Sequence, residues 1–124
     1  MARVLVVHGD LAPRLTLRTI LQAGGYSVDV AGSMSEAVAK LDANQYELVL
    51  SDPTPGNHNL LAYAKVKDYR PATATVTSFE PDVPRRRGRG AHEVSIHTED
   101  VPNLLGRVAD LIGLRASRRY RQAG

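Results

Sequence analysis

The run Leu48-Val49-Leu50, set within Tyr46–Asp52, restricts the fold more than any other stretch. Three consecutive apolar residues leave neither side of a strand for water. Such a strand belongs in the middle of a parallel sheet with helices over both faces, whereas a half-solvated antiparallel strand would alternate. Asp52 ends the run, and Pro53-Thr54-Pro55-Gly56 follows as a loop. In open α/β sheets ligands gather beyond the carboxyl ends of the strands. Asp52 therefore stands where chemistry is expected, and the residues that end the neighbouring strands decide what that chemistry is.

The remaining segments supply those neighbours. Val4–Val7 reads as a first strand, broken by Gly9. The side chain of Asp10 is expected to cap the next helix, with Pro13 in its first turn, where a missing N–H costs nothing. Leu15, Leu17, Ile20 and Leu21 form the buried face, and Gly24-Gly25 stops the helix. Tyr26–Val30 alternates, as an edge strand does. Ser33-Met34-Ser35-Glu36 is a capping box opening a second helix, with Ala37, Val38 and Leu41 inward. Asn59 is expected to cap a third helix, Leu60–Lys67, which Arg70-Pro71 closes off. Thr73–Thr77 reads as a short fourth strand. Ser78–Gly90 holds Pro81, Pro84 and four arginines with almost no apolar stripe, so any helix there is short. Val94–Ile96 is the fifth strand, ending at His97, and Thr98 or Asp100 caps the last helix. Val101, Leu104, Leu105, Val108, Leu111 and Ile112 give that helix the clearest amphipathic spacing in the chain, and Gly113 is expected to end it. Strands alternating with helices imply a parallel sheet with right-handed crossovers and helices on both faces.

The 124 residues suffice for one domain with a real core and not for two. Residues 1–114 are read as that domain and 115–124 as a basic tail or the start of a linker. There is no cysteine, which removes thiol chemistry, disulfides and cysteine zinc sites. No apolar run approaches a membrane span, and the run after Met1-Ala2-Arg3 is too short for a signal-peptide core, so a cytoplasmic protein is expected. The net charge of +3 is unevenly spread: Arg85, Arg86, Arg87 and Arg89 form one group and Arg115, Arg118, Arg119 and Arg121 another. A solvated surface and a frayed tail are the plainer reading of these groups; an acidic partner is the sharper one.

Taken in order, Arg-Val-Leu-Val-Val at 3–7, Ala-Gly-Gly-Tyr-Ser-Val at 23–28, Ser-Glu-Ala-Val at 35–38, Tyr-Glu-Leu-Val-Leu-Ser-Asp at 46–52 and Leu-Leu-Gly-Arg-Val at 104–108 resemble the receiver domains of bacterial response regulators, over about residues 3–113. The resemblance implies a flavodoxin-like, doubly wound five-stranded parallel sheet of order 2-1-3-4-5. It also implies that Asp52 occupies the position that accepts a phosphoryl group from a histidine kinase, and Thr77 the position that senses it. The family's other functional positions depart. The acidic pair that holds Mg²⁺ reads His8 and Gly9, with Asp10 next. The lysine that pairs with the phosphoryl oxygens reads His97, and the aromatic switch position reads Val94.

Those departures bear on the chemistry. Phosphoryl transfer to a carboxylate sets several anionic oxygens against an anion, and Mg²⁺ with a fixed cation must offset that charge. Neutral imidazole is a poor Mg²⁺ ligand, glycine offers no side chain, and histidine is shorter than lysine and largely neutral at pH 7. A zinc or iron site from His8, Asp52 and His97 is disfavoured, because strand five lies roughly 14 Å from strand one; His58 and His92 read as loop residues. The expectation is a degenerate receiver, not an enzyme, with no cofactor. It would act on a protein partner such as a histidine kinase or an output protein through the family's output face, to which Arg85, Arg86, Arg87, Arg89 and Val94 would belong, and could pair as a homodimer. The alternative is a working receiver, phosphorylated on Asp52 with Mg²⁺. Nucleic-acid binding through the arginine groups ranks last, since no base-reading helix is apparent.

Overall fold

The computed structural model describes residues 2–52, 57–78, 93–96 and 101–123. Its sheet is parallel throughout. Strand β1 (Arg3–Val7) lies between β2 (Ser27–Ala31) and β3 (Leu48–Ser51), β4 (Ala72–Ser78) lies beyond β3, and β5 (Glu93–Ile96) runs along the outer side of β4. The register pairs Val7 with Ala31 and Ser51, Ser51 with Thr75, and Val76 with Val94. Helices α1 (Leu11–Ala23), α2 (Met34–Ala43), α3 (Asn57–Lys65) and α4 (Val101–Ala123) connect or follow the strands. Among the described residues no helix is long and apolar enough to cross a membrane.

The continuous apolar runs are explained by two cores, one on each side of the sheet. Val4, Val6, Leu48 and Leu50 pack with Leu17 and Leu21 of α1 and Leu104, Val108 and Leu111 of α4. Leu5, Val7 and Val49 point the other way, onto Ala37 and Leu41 of α2 and Leu60 and Ala64 of α3. A period of two along each strand thus feeds both cores in turn. With about 1.5–3 kcal/mol for each large apolar side chain buried, β1 and β3 anchor the fold. β2, at the edge, keeps Ser27 exposed while Val28 and Ala31 are buried.

Several local expectations hold and several do not. Ser33 Oγ accepts the Glu36 amide at 3.2 Å and caps α2 as the box implies. Gly25, at φ 96°, makes the turn out of α1. Asp10 does occupy the N-cap position of α1, but its side chain makes no capping hydrogen bond. Asn59 is not a cap: α3 begins two residues earlier, at Asn57, and ends at Lys65 rather than Lys67. The chain then turns through Tyr69 and Arg70, the latter at φ 45°. Gly113 does not end α4, which runs through it and on to Ala123. A glycine stops a helix when the chain must turn through a positive φ. Here it is followed by Leu114, Arg115 and Ala116, all strong helix formers, and propagation carries the helix on. The segment read as a basic tail is therefore helical over 115–123.

Candidate functional site

Because Val7 pairs with Ser51, the next residues of β1 and β3, His8 and Asp52, stand side by side at the carboxyl rim. Their backbones extend the ladder for one more step: His8 N–H donates to Ala31 O at 3.1 Å and Asp52 N–H to Val7 O at 3.0 Å. Both side chains are withdrawn from water, with residue exposures of 8% and 6%. A buried carboxylate needs donors, and Asp52 Oδ2 receives one from the Gly9 amide at 3.0 Å.

His8 Nδ1 lies 3.6 Å from the same oxygen, but this contact is not an ion pair. Nδ1 accepts the Asp10 amide N–H at 3.0 Å. A ring nitrogen that accepts carries no proton, so the imidazole is the neutral Nε2–H tautomer. It sets a neutral ring, not a cation, beside Asp52. Asp10 thus contributes its backbone to the rim, while its side chain is exposed.

These residues do not fit Mg²⁺. The ion wants hard oxygens in an octahedron. The two positions beside Asp52 supply an imidazole whose nearer nitrogen is already engaged and a glycine whose amide occupies one Asp52 oxygen. Among the described residues no group of three or more His, Asp or Glu side chains is placed to hold a metal.

On the far side of the rim, extending the β3–β4 register sets Asp52 opposite Val76, so Thr77 lies one step nearer the rim, paired with Ser95. Val94 pairs with Val76. His97, His92, Thr98, Asp100, the Pro53–Gly56 loop and Arg85, Arg86, Arg87 and Arg89 lie outside the described residues. The structure thus brings together His8, Gly9, Asp10 and Asp52, and places Thr77 and Val94 by backbone register alone.

One rim residue has no signal in the linear sequence. Arg14, in α1, reaches back so that Nη1 donates to His8 O at 3.1 Å. A Cβ on Gly32, just past β2, would overlap that guanidinium. Gly32 is therefore the space that Arg14 fills, and Arg14 takes up a carbonyl left at the end of β1. A glycine after an edge strand is too common a feature to announce a partner eighteen positions away.

At the opposite end of the sheet, buried Tyr46 donates its hydroxyl to Asp29 Oδ2 at 2.7 Å, and Arg3 Nη2 donates to the same oxygen at 3.0 Å. Burial first, and then the bond to Asp29, push the Tyr46 phenol far above its ordinary value. A cavity of about 520 Å³ nearby is lined by Arg3, Asn44, Tyr69 and the Lys67–Asp42 ion pair. Its cations are already matched, Arg3 by Asp29 and Lys67 by Asp42.

No protein-family model matches the chain, and neither does any curated protein. Solved structures do. A CheY-like response regulator receiver domain protein from Methanospirillum hungatei JF-1 superposes with a TM-score of 0.76 at 21% identity, over 95% of this chain and 98% of that one. The response regulator TrrA from Thermotoga maritima, solved with Mg²⁺–BeF, gives 0.72 at 25% identity over 90% and 99%. The complex of TrrA with the histidine kinase ThkA gives 0.71 at 26% over 90% and 98%. The α/β fold is that of CheY-like receiver domains.

Proposed function

We propose that this domain is a receiver-like signalling module that works by binding a protein partner, without Mg²⁺-dependent phosphorylation of Asp52. The observation that carries the reading is the hydrogen bond from the Asp10 amide to His8 Nδ1, which keeps a neutral ring beside the acid. A phosphoryl group on Asp52 would bring its oxygens beside that neutral ring, whose Nδ1 is already engaged by Asp10. Nδ1 could meet them with a proton only by giving up the Asp10 amide. Neither His8 nor Gly9 supplies the charge that the transfer requires. Support for a protein partner comes from the neighbour solved with a histidine kinase. The surface expected to carry it is the one around β5 and α4, with the 85–89 arginines as part of the family's output face.

Calorimetric titration with Mg²⁺, then with beryllofluoride, tests this reading. No heat of binding is expected from either. Saturable Mg²⁺-dependent binding of beryllofluoride, abolished in Asp52→Ala, would instead establish the domain as a phosphorylatable receiver.

A further inference from the structure

We propose that the turns of α4 beyond Ile112 bind the phosphate backbone of a nucleic-acid duplex. Residues Leu104, Val108 and Leu111 are the buried stripe of this helix, with Leu105 and Ile112 beside them, while Gly113 and Leu114 are exposed. Because α4 runs on to Ala123, the register positions that prolong the stripe can be read directly. Arg115, Arg118 and Arg119 fall within roughly 60° of it at 3.6 residues per turn, and Arg121 lies on its flank. The face that holds the helix to the sheet thus becomes cationic once the apolar residues end. At 1.5 Å per residue this basic portion adds about 16 Å of helix.

The charge has no counterpart within the helix. Residues 111–124 hold no acid, so within them none of the four arginines has a carboxylate three or four residues away. Instead Arg115–Arg118, Arg115–Arg119 and Arg118–Arg121 are like-charge pairs at helical spacing, which destabilise a helix. The helix dipole favours cations near a carboxyl end, but it does not relieve repulsion among them. A dense line of anions would.

The absence of apolar anchors decides which polyanion. A protein interface needs a desolvated apolar core, and a membrane-lying helix needs an apolar face. Beyond Leu114 only Ala116, Tyr120 and Ala123 are apolar or aromatic. A duplex backbone needs neither, since affinity there comes from charge and counterion release. Arginine also forms a paired-donor fork to phosphate.

The test is fluorescence anisotropy of a labelled random-sequence DNA duplex with the whole chain, against Arg115→Gln, Arg118→Gln, Arg119→Gln and Arg121→Gln combined. Four neutralised phosphates imply a log–log salt slope of about −3.6, hence roughly 100-fold weaker binding at 200 mM than at 50 mM salt. Helical circular dichroism should rise on binding, and the variant should lose the binding while melting no lower than the parent, the like-charge repulsion being removed. Three results would each overturn the proposal: no duplex binding at 50 mM salt, equal binding by the variant, or tighter binding of polyglutamate or of phosphatidylserine vesicles than of the duplex.

Discussion

Replacing Gly113 by alanine should stabilise the protein, and the sign of the effect tells a helix interior from a helix stop. Gly113 lies within α4, its φ is not positive, and a Cβ built on it meets nothing within 4 Å. Alanine there gains helix propensity without a clash, about 0.8–1 kcal/mol. Gly106, in the same helix, is equally open. Lying seven residues away, about 10 Å along the axis, it should contribute additively, for about 2 kcal/mol in the double variant. Gly25 is the control: at φ 96° an alanine is strained by roughly 1–2 kcal/mol. Urea unfolding at pH 7 reads all three, the midpoint rising for Gly113→Ala and falling for Gly25→Ala at unchanged m-value. If Gly113→Ala lowers the midpoint as Gly25→Ala does, the helix ends at Gly113, and the basic turns described above are not an extension of α4.

Three further outcomes follow from the contacts. Gly32→Ala should displace Arg14 from His8 O and cost about 1 kcal/mol, and with Arg14→Ala already present it should cost little more, the coupling being read from a double-mutant cycle in urea. The Asp42 carboxyl is held below its ordinary value of 3.8 by hydrogen bonds, first from Lys67 and then from Tyr63. A depressed acid contributes stability that is present above that ordinary value and lost as pH falls through the folded one, so Asp42→Asn should flatten the acid limb of a stability–pH profile slightly, the pair being exposed. His8→Asp with Gly9→Asp should create Mg²⁺ binding detectable by calorimetry, because a Cβ at Gly9 would sit 3.7 Å from Asp52 Oδ2. A double variant still indifferent to Mg²⁺ would mean that the missing acids are not what the pocket lacks.

Much of the fold is legible in the sequence because strand burial writes itself locally. Leu48-Val49-Leu50 and Val4–Val7 are apolar at every position because each strand serves two cores, and Tyr26–Val30 alternates because it lies at an edge. The proximity of His8 to Asp52 follows from the same logic, both being the first residues past paired strand ends. Helix ends are harder to read. Gly113 carries a stop signal that acts only if the chain turns there, and Asn59 carries a cap signal although the helix already begins at Asn57. Asp10 has the right position for a cap, yet its side chain makes no capping bond, and its amide is engaged on His8. That engagement, like the Arg14–Gly32 contact, depends on how a loop folds back in space, which neither periodicity nor propensity encodes.

The most direct test of the central claim is incubation of the purified chain with ³²P-labelled acetyl phosphate in magnesium buffer, followed by quantification of protein-bound label. With a neutral His8 ring beside Asp52 and no side chain at Gly9, the expected result is no label above that of Asp52→Ala. Stoichiometric, acid-stable and base-labile label on the parent that disappears in Asp52→Ala would contradict it.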